Sequence, residues 1–176
     1  MHRTLRLAAA VSIALACAAA GARAQEFQPP AGAEGQPTGV VFDLFAFSTR
    51  AGLDVTSPTA WVLGNTLDVA ELWSPRVRLR PSLEVSSDGG AVRLHWAGEI
   101  VYRFEPDNAP AIPYVGAGLG HMTHCPGCAM IWPTVVLGFE LKLRHSFNWL
   151  IEYHALDRFG RNRFLIGLAT RGPGGQ

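Results

Sequence analysis

The sequence is poor in charged residues and in long apolar runs, and each shortage excludes a class of protein. Charged residues make up 16% of the 176-residue chain, against about 25% in typical domains, which excludes a solvated disordered chain. The net charge of +1 argues against a nucleic-acid binder, because such proteins need an excess of basic residues. After residue 24 no apolar run approaches the ~18 residues of a spanning helix, so a membrane contact must use strands or a surface.

The start of the chain has the pattern of a secretory signal. Arg3 and Arg6 form a positive region, residues 7–20 are apolar, and residues 22–24 (ARA) form a small-residue cleavage site. The apolar run is too short for a membrane anchor, and the residues before Cys17 fit a lipidation motif poorly. The pattern predicts four segments: a signal peptide at 1–24, a flexible leader at 25–37, a folded domain at 38–171 and a tail at 172–176.

The remainder of the chain alternates polar and apolar residues with the period of a β-strand. Eight such segments are predicted, at 39–49, 62–72, 76–86, 92–104, 111–122, 132–144, 147–156 and 162–171. They are long for a soluble protein, where strands of about five or six residues are usual, and they suit tilted strands that cross a membrane. Short Gly-, Pro- and Asp-containing connections make neighbours antiparallel, so the sequence predicts an all-β, eight-stranded up-and-down barrel of the outer-membrane type.

The polar faces of these segments predict a charged interior. Eight strands enclose a narrow lumen, which would be crowded by the aromatic residues of the apolar faces: Trp96, Tyr102, Phe104, Phe139, Trp149, Tyr153 and Phe164. We therefore expect the aromatic face outside and a lumen charge network inside, consisting of Arg78, Arg80, Glu84, Arg93, Glu99, Arg103, Glu140 and Glu152. The alternative is a soluble, lipocalin-like barrel with an apolar interior that holds one apolar ligand.

Because successive strands run in opposite directions, their connections alternate between the two sides of the membrane. With both ends of the domain in the periplasm, the connections at 49–61, 86–91, 121–133 and 156–161 face outward. The two longest, 49–61 and 121–133, are the expected sites of a structural or surface-interaction role. The predicted partners are outer-membrane lipid and an extracellular or envelope protein, with no nucleic acid, and the protein is expected to be a monomer.

Two segments resemble a known family. Residues 112–120 (IPYVGAGLG) are similar to a strand of the bacterial outer-membrane β-barrel domain family, and residues 164–168 (FLIGL) are similar to its last strand. Residues 147–162 more distantly resemble the late strands of the lipid A deacylase barrels. The resemblance implies a small barrel in the outer membrane of a Gram-negative cell, reached by export through a cleaved signal peptide.

Residues 121–128 gather His121, His124, Cys125 and Cys128. Cysteine and histidine are zinc ligands, but four ligands from one short loop would be crowded. An exported protein meets oxidising conditions, so we expect a Cys125–Cys128 disulfide rather than a metal or a pair of free thiols.

A catalytic centre is not predicted. The deacylase family places its histidine two residues before the nucleophilic serine, whereas His154 is followed at that position by Leu156. His145 and Ser146 are neighbours, so on a strand they would point to opposite faces. The expected protein is therefore non-enzymatic and without a cofactor, and a deacylase-like enzyme with a degenerate site is the alternative.

Overall fold

The computed structural model describes residues 39–104, 110–123, 131–144 and 147–170. The strands are β1 (Val40–Asp54), β2 (Ala60–Leu72), β3 (Ser74–Ser87), β4 (Val92–Arg103), β5 (Ala111–Met122), β6 (Trp132–Arg144), β7 (Phe147–Leu156) and β8 (Arg161–Thr170). Each strand pairs antiparallel with the next, and β8 pairs with β1, which closes the barrel. The predicted eight-stranded up-and-down barrel is confirmed. Within the described residues, no helix is long and apolar enough to cross a membrane.

The two ends of the barrel differ in what they carry. The upper end, as named here, holds the β1–β2, β3–β4, β5–β6 and β7–β8 connections. The lower end holds the other three connections, the start of β1 and the end of β8. Val40, the first residue of β1, and Thr170, the last residue of β8, therefore lie at the same end of the barrel. The predicted signal peptide, leader and tail lie outside the described residues.

The alternation in the sequence decides which side chains enter the lumen. Along β4, Trp96 and Ile100 are about half exposed on the outer surface, whereas His95 and Glu99 are completely buried. Strands β3, β7 and β8 repeat this pattern. Apolar side chains are therefore outside and ionisable ones inside, which is opposite to the arrangement expected of the soluble, lipocalin-like alternative.

Strand β1 is longer than the sequence pattern indicated, so the prediction of a long loop at 49–61 is wrong. Residues 49–54 continue the strand and pair with β2 on one side and β8 on the other. The pair Ala51-Gly52 obscured the alternation there. Gly52 is required because a Cβ at this position would lie 1.9 Å from the carbonyl oxygen of Phe164. The connection shrinks to 55–59, and Arg50 and Asp54 become buried lumen residues.

A bulge interrupts the β2–β3 pairing beside Pro81. The register shifts between Thr66 and Ala70, and Pro81 has a cross-strand partner only on β4, at Gly98. Proline has no N–H to donate, so the interruption falls where the ladder lacks a donor.

Asp88 closes the β3–β4 turn, where the sequence predicted a hairpin. Its Oδ1 accepts hydrogen bonds from the amides of Ala91 (3.1 Å) and Gly90 (3.0 Å), and its Oδ2 accepts one from Arg93 Nη2 at 2.7 Å. The Ala91 amide, followed by the Arg93 side chain, holds the pKa of Asp88 well below its usual range. Gly89 supplies the positive φ of 90° that this turn needs.

We expect Asp88→Ala to loosen this turn without unfolding the barrel. Protection of the Gly90 and Ala91 amides from hydrogen exchange should fall several-fold, whereas Asp88→Asn, which keeps an acceptor oxygen, should retain most of it. Because the pKa is lowered on folding, the stabilisation is complete above the unfolded value of about 4 and is lost only as the pH falls through the folded value. Protection in the wild type, corrected for intrinsic exchange, should therefore be constant from pH 8 to pH 5. A decline within that interval would contradict this account.

Candidate functional site

The lumen contains one connected cluster of buried ionisable side chains, called the central network below. Each member is at most 5% exposed, and together they come from five strands. The members are Arg50 and Asp54 of β1, Arg80 and Glu84 of β3, His95 and Glu99 of β4, Glu152 and His154 of β7, and Arg163 of β8. Buried charges of this kind are stable only when they are paired and hydrogen-bonded.

Glu84 is the first centre of the network. Its Oε1 accepts a hydrogen bond from Arg50 Nη2 at 2.6 Å, and its Oε2 accepts one from Arg163 Nη1. The same Oε2 lies 3.1 Å from His95 Nδ1. Both carboxylate oxygens are thus bound by guanidinium groups that reach across the lumen from β1 and β8.

Glu152 is the second centre. Arg50 Nη1 bonds to its Oε2, and Arg80 Nη1 lies 2.9 Å from its Oε1. Tyr114 donates its hydroxyl to Oε1 at 2.6 Å, and His154 Nε2 is 2.9 Å from Oε2. Arg50 therefore bridges the two carboxylate centres, and its removal would leave both of them short of a cation.

The network extends in both directions from these centres. Toward the upper end, Arg163 Nε lies 3.2 Å from Asp54 Oδ2, and Arg161 approaches the same oxygen at 3.4 Å. On the opposite side, Arg80 Nη2 is 3.2 Å from Glu99 Oε2. The network thus joins strands that are not neighbours in the sheet and cross-links the barrel through its interior.

Four of the eight residues predicted for the lumen charge network lie in the central network: Arg80, Glu84, Glu99 and Glu152. The others form ion pairs nearer the barrel ends. Arg103 pairs with Glu140 at 3.0 Å beside Asn148, and Arg78 pairs with Glu71 at 2.7 Å. Arg93 pairs with Asp88 in the upper β3–β4 turn at 2.7 Å. The structure therefore divides the predicted set among three regions.

Sequence reasoning missed five members of the central network. His95 has the parity of Glu99 and His154 that of Glu152, so alternation would have placed both in the lumen, whereas Arg163 shares its face with Leu165, which gives no polar signal. Arg50 and Asp54 were assigned to a loop. The alternation Ser48, Arg50, Gly52, Asp54 was the available signal.

Apolar side chains fill the lumen on either side of the central network. Met122, Trp132 and Leu156 form a buried cluster at the upper end, called the upper plug below. Val101, Tyr114, Val136 and Leu150 form a second buried cluster on the lower side. Eight strands enclose a space only just wide enough for side chains, and here that space is occupied by ion pairs between two apolar layers.

Tyr114 is held against Glu152 because residue 138 is glycine. A Cβ added to Gly138 would lie 2.5 Å from Cζ and 2.6 Å from Oη of the Tyr114 ring. The buried ring must then shift, so Gly138→Ala should break the bond from Tyr114 to Glu152 and cost about 1–3 kcal/mol. Gly98→Ala is the matched control, because a Cβ at Gly98 meets nothing within 4 Å. Urea unfolding in lipid vesicles should separate the two variants, and equal midpoints would contradict this packing.

The structure describes only some of the residues that the sequence suggested as metal ligands, disulfide partners or catalytic groups. His124, Cys125, Cys128, His145 and Ser146 lie outside the described residues. No group of three or more His, Cys, Asp or Glu with metal-binding geometry occurs in the described ranges. His154 Nε2 lies 2.9 Å from Glu152 Oε2 and 3.2 Å from Arg50 Nη1, and its Nδ1 lies 3.7 Å from Glu99 Oε1. Leu156, two positions further on, belongs to the upper plug.

The fold is similar to that of solved barrels. The N-terminal β-barrel domain of Pseudomonas aeruginosa OprF superimposes with a TM-score of 0.57 at 14% identity, covering 73% of this chain and 98% of that domain. Neisserial surface protein A superimposes with a TM-score of 0.55 at 11% identity, covering 76% of this chain and 99% of that protein. Both are small eight-stranded outer-membrane barrels, so the predicted resemblance is confirmed for the fold. No protein-family model and no curated protein sequence matches the chain.

Proposed function

We propose that the protein is a non-enzymatic integral barrel of the outer membrane with a structural or surface-interaction role, and that its lumen is closed to solutes. This proposal rests on which side chains face outward from the barrel and which face its lumen. Large apolar side chains are exposed around the barrel, while the charged side chains of the central network are buried within it. A barrel of this kind is stable where its outer surface contacts lipid rather than water.

The dimensions of the apolar surface support the proposal. Outward residues on β4 run from Val92 to Tyr102 without a charge. Ten residues at ~3.4 Å each, tilted by about 40°, span roughly 26 Å along the membrane normal, close to the ~25 Å apolar band of outer-membrane barrels. Exposed aromatic side chains lie toward both ends of the apolar surface, with Trp61, Trp96 and Phe164 toward the upper end and Tyr102, Phe104, Phe147 and Trp149 toward the lower end.

The upper end is assigned to the cell exterior. Both ends of the barrel domain adjoin the lower end, which is the periplasmic end in barrels with an even number of strands. The upper connections at 55–59, 88–91 and 157–160 are short. The β5–β6 connection, of which residues 124–130 lie outside the described residues, is therefore the remaining candidate for contact with an extracellular or envelope protein.

The proposal is tested by cell fractionation combined with a heat-modifiability gel. The full chain, expressed in a Gram-negative host, should be recovered in the outer membrane and should migrate differently before and after boiling in detergent. Purified protein added to planar bilayers should give no stepwise conductance, because the lumen is filled. Recovery as a soluble periplasmic protein would overturn the membrane assignment, steady channels would overturn the closed lumen, and release of an acyl chain from lipid A would overturn the non-enzymatic role.

A further inference from the structure

Two outward side chains near the middle of the barrel are polar, although the surface around them is apolar. Thr49 of β1 and Asn65, at the middle of β2, are cross-strand partners, and Thr49 Oγ1 donates a hydrogen bond to Asn65 Oδ1 at 2.8 Å. Arg50, the residue after Thr49, enters the lumen, so Thr49 and its partner face outward. On their other sides the two residues pair with Leu168 and Leu83. In the proposed membrane orientation the pair therefore lies among leucines at the depth of the hydrocarbon.

This pair is an exception on the outer surface of the described strands. The other outward residues near the strand midpoints are apolar or glycine, except Tyr153, whose hydroxyl donates to Asn162 close to the upper turn. A polar group in hydrocarbon is costly unless another polar group bonds to it, and polar residues on lipid-facing surfaces join membrane segments to one another. Thr49 is exposed, and among the described residues its hydroxyl is bonded to Asn65. A hydroxyl has two acceptor lone pairs besides its donor, so Thr49 retains bonding capacity that faces the lipid.

The outer surface of β1 is low around Thr49. Ala51, the next outward residue, is also exposed, and these two small side chains lie between the larger Phe47 and Leu53. Small residues at a membrane interface let a second backbone come close enough for short polar side chains to meet. Leu53 and, on β8, Ile166 are about half exposed and offer apolar contact around this polar centre. These five residues are called the β1 face below.

The chemistry of the pair selects what covers the β1 face. A lipid acyl chain has no hydrogen-bonding group, and the hydrocarbon holds no water to replace one. Turning the Asn65 amide by 180° presents its NH₂ group to Thr49 Oγ1, which frees the hydroxyl hydrogen to bond elsewhere. A second copy related by a two-fold axis presents the same hydroxyl, so Thr49 of one copy donates while Thr49 of the other accepts. The β1 face carries no charge, so two copies meet without repulsion.

We propose that the β1 face is the interface of a dimer, in which two copies of the chain lie side by side in the membrane with Thr49 at the centre of the contact. Asn65 holds the Thr49 hydroxyl from behind, and the leucine and isoleucine side chains of the β1 face pack around it. This inference rests on the proposed outer-membrane location, and it replaces the monomer expected from the sequence.

Sedimentation equilibrium of the protein purified from the outer membrane, in density-matched detergent, tests the proposal. The wild type should sediment as a dimer. Thr49→Val should weaken dimerisation by about three- to tenfold, the contribution of a hydrogen bond between membrane-embedded side chains. Thr66→Val is the matched control, because the Thr66 hydroxyl is buried in the lumen and bonded to Ser48. This control should dimerise like the wild type, and a monomeric wild type would overturn the proposal.

Ala51→Trp should have a larger effect, because it places a bulky ring where the two backbones approach. We expect this variant to sediment as a monomer. Ala117→Trp is its control, since Ala117 is an equally small, exposed residue on β5, on the opposite side of the closed barrel. A normal mobility shift on boiling shows that each variant is folded. Equal dimerisation of the two tryptophan variants would overturn the proposal.

Photo-cross-linking in cells identifies what covers the β1 face. Leu53→p-benzoylphenylalanine should cross-link to a second copy of the chain, whereas Leu119→p-benzoylphenylalanine, on β5, should not. A cross-link from position 53 to a different protein alone would overturn the dimer. Fractionation of the same cells separates the two proposals. Absence of the chain from the outer membrane would overturn the proposed function, whereas a heat-modifiable outer-membrane chain that stays monomeric would overturn the dimer alone.

Discussion

Arg50→Met should destabilise the barrel by about 3–5 kcal/mol, the range found when one partner of a buried ion pair is removed. Arg50 has a side chain with no exposed surface and is bonded to Glu84 and Glu152, which are equally buried. Methionine fills a similar volume but supplies no charge, so among the described residues the two carboxylates keep only Arg163 and Arg80 as guanidinium partners. The free energy of unfolding, measured by urea titration in lipid vesicles with tryptophan fluorescence, reports the loss.

Arg93→Met is the matched control for this prediction. Arg93 is also an inward arginine paired with one carboxylate, but it lies at the upper turn, where water reaches the pair. Partly exposed ion pairs contribute little, so this variant should unfold close to the wild-type midpoint. Equal losses of stability in the two variants would mean that the contribution of an ion pair does not depend on its burial. An unchanged unfolding midpoint for Arg50→Met would show that the central network does not cross-link the barrel.

The network also explains which part of the site could be predicted from the sequence. Parity along a strand identifies the inward face, so Arg80, Glu84, Glu99 and Glu152 follow from alternation alone. Parity does not say how far along the barrel axis a residue lies. Depth is set by the register of all eight strands, which separates Arg103 from Arg80 although both are inward arginines on adjacent strands.

Strand ends were the least predictable part of the fold. Seven of the eight predicted segments agree with the observed strands within two residues at each end, because turn residues such as Asp88-Gly89 mark where they stop. Strand β1 lacks such a mark at residue 49. It continues to Asp54 because both neighbouring strands offer backbone partners, and this tertiary pairing overrides the weak local pattern at Ala51-Gly52.

Ile151→Arg should destabilise the protein in lipid by about 2–4 kcal/mol, the cost of an arginine near the midplane of a membrane barrel. Ile151 lies at the middle of β7, is 37% exposed, and has the outward residues Phe139 and Ile166 as its cross-strand neighbours. A charge at this depth loses its hydration without gaining a partner. The barrel should insert into vesicles with a lower yield and unfold at a lower urea concentration.

Val92→Arg makes the depth dependence measurable. Val92 is equally apolar and is 43% exposed, but it begins β4 at the upper end, where an arginine reaches the headgroups. An arginine near the membrane surface costs about 0–1 kcal/mol, so this variant should insert like the wild type. In a soluble barrel both positions would face water and both arginines would be tolerated. The difference between the two variants therefore tests the membrane assignment itself, independently of the central network, because neither side chain enters the lumen.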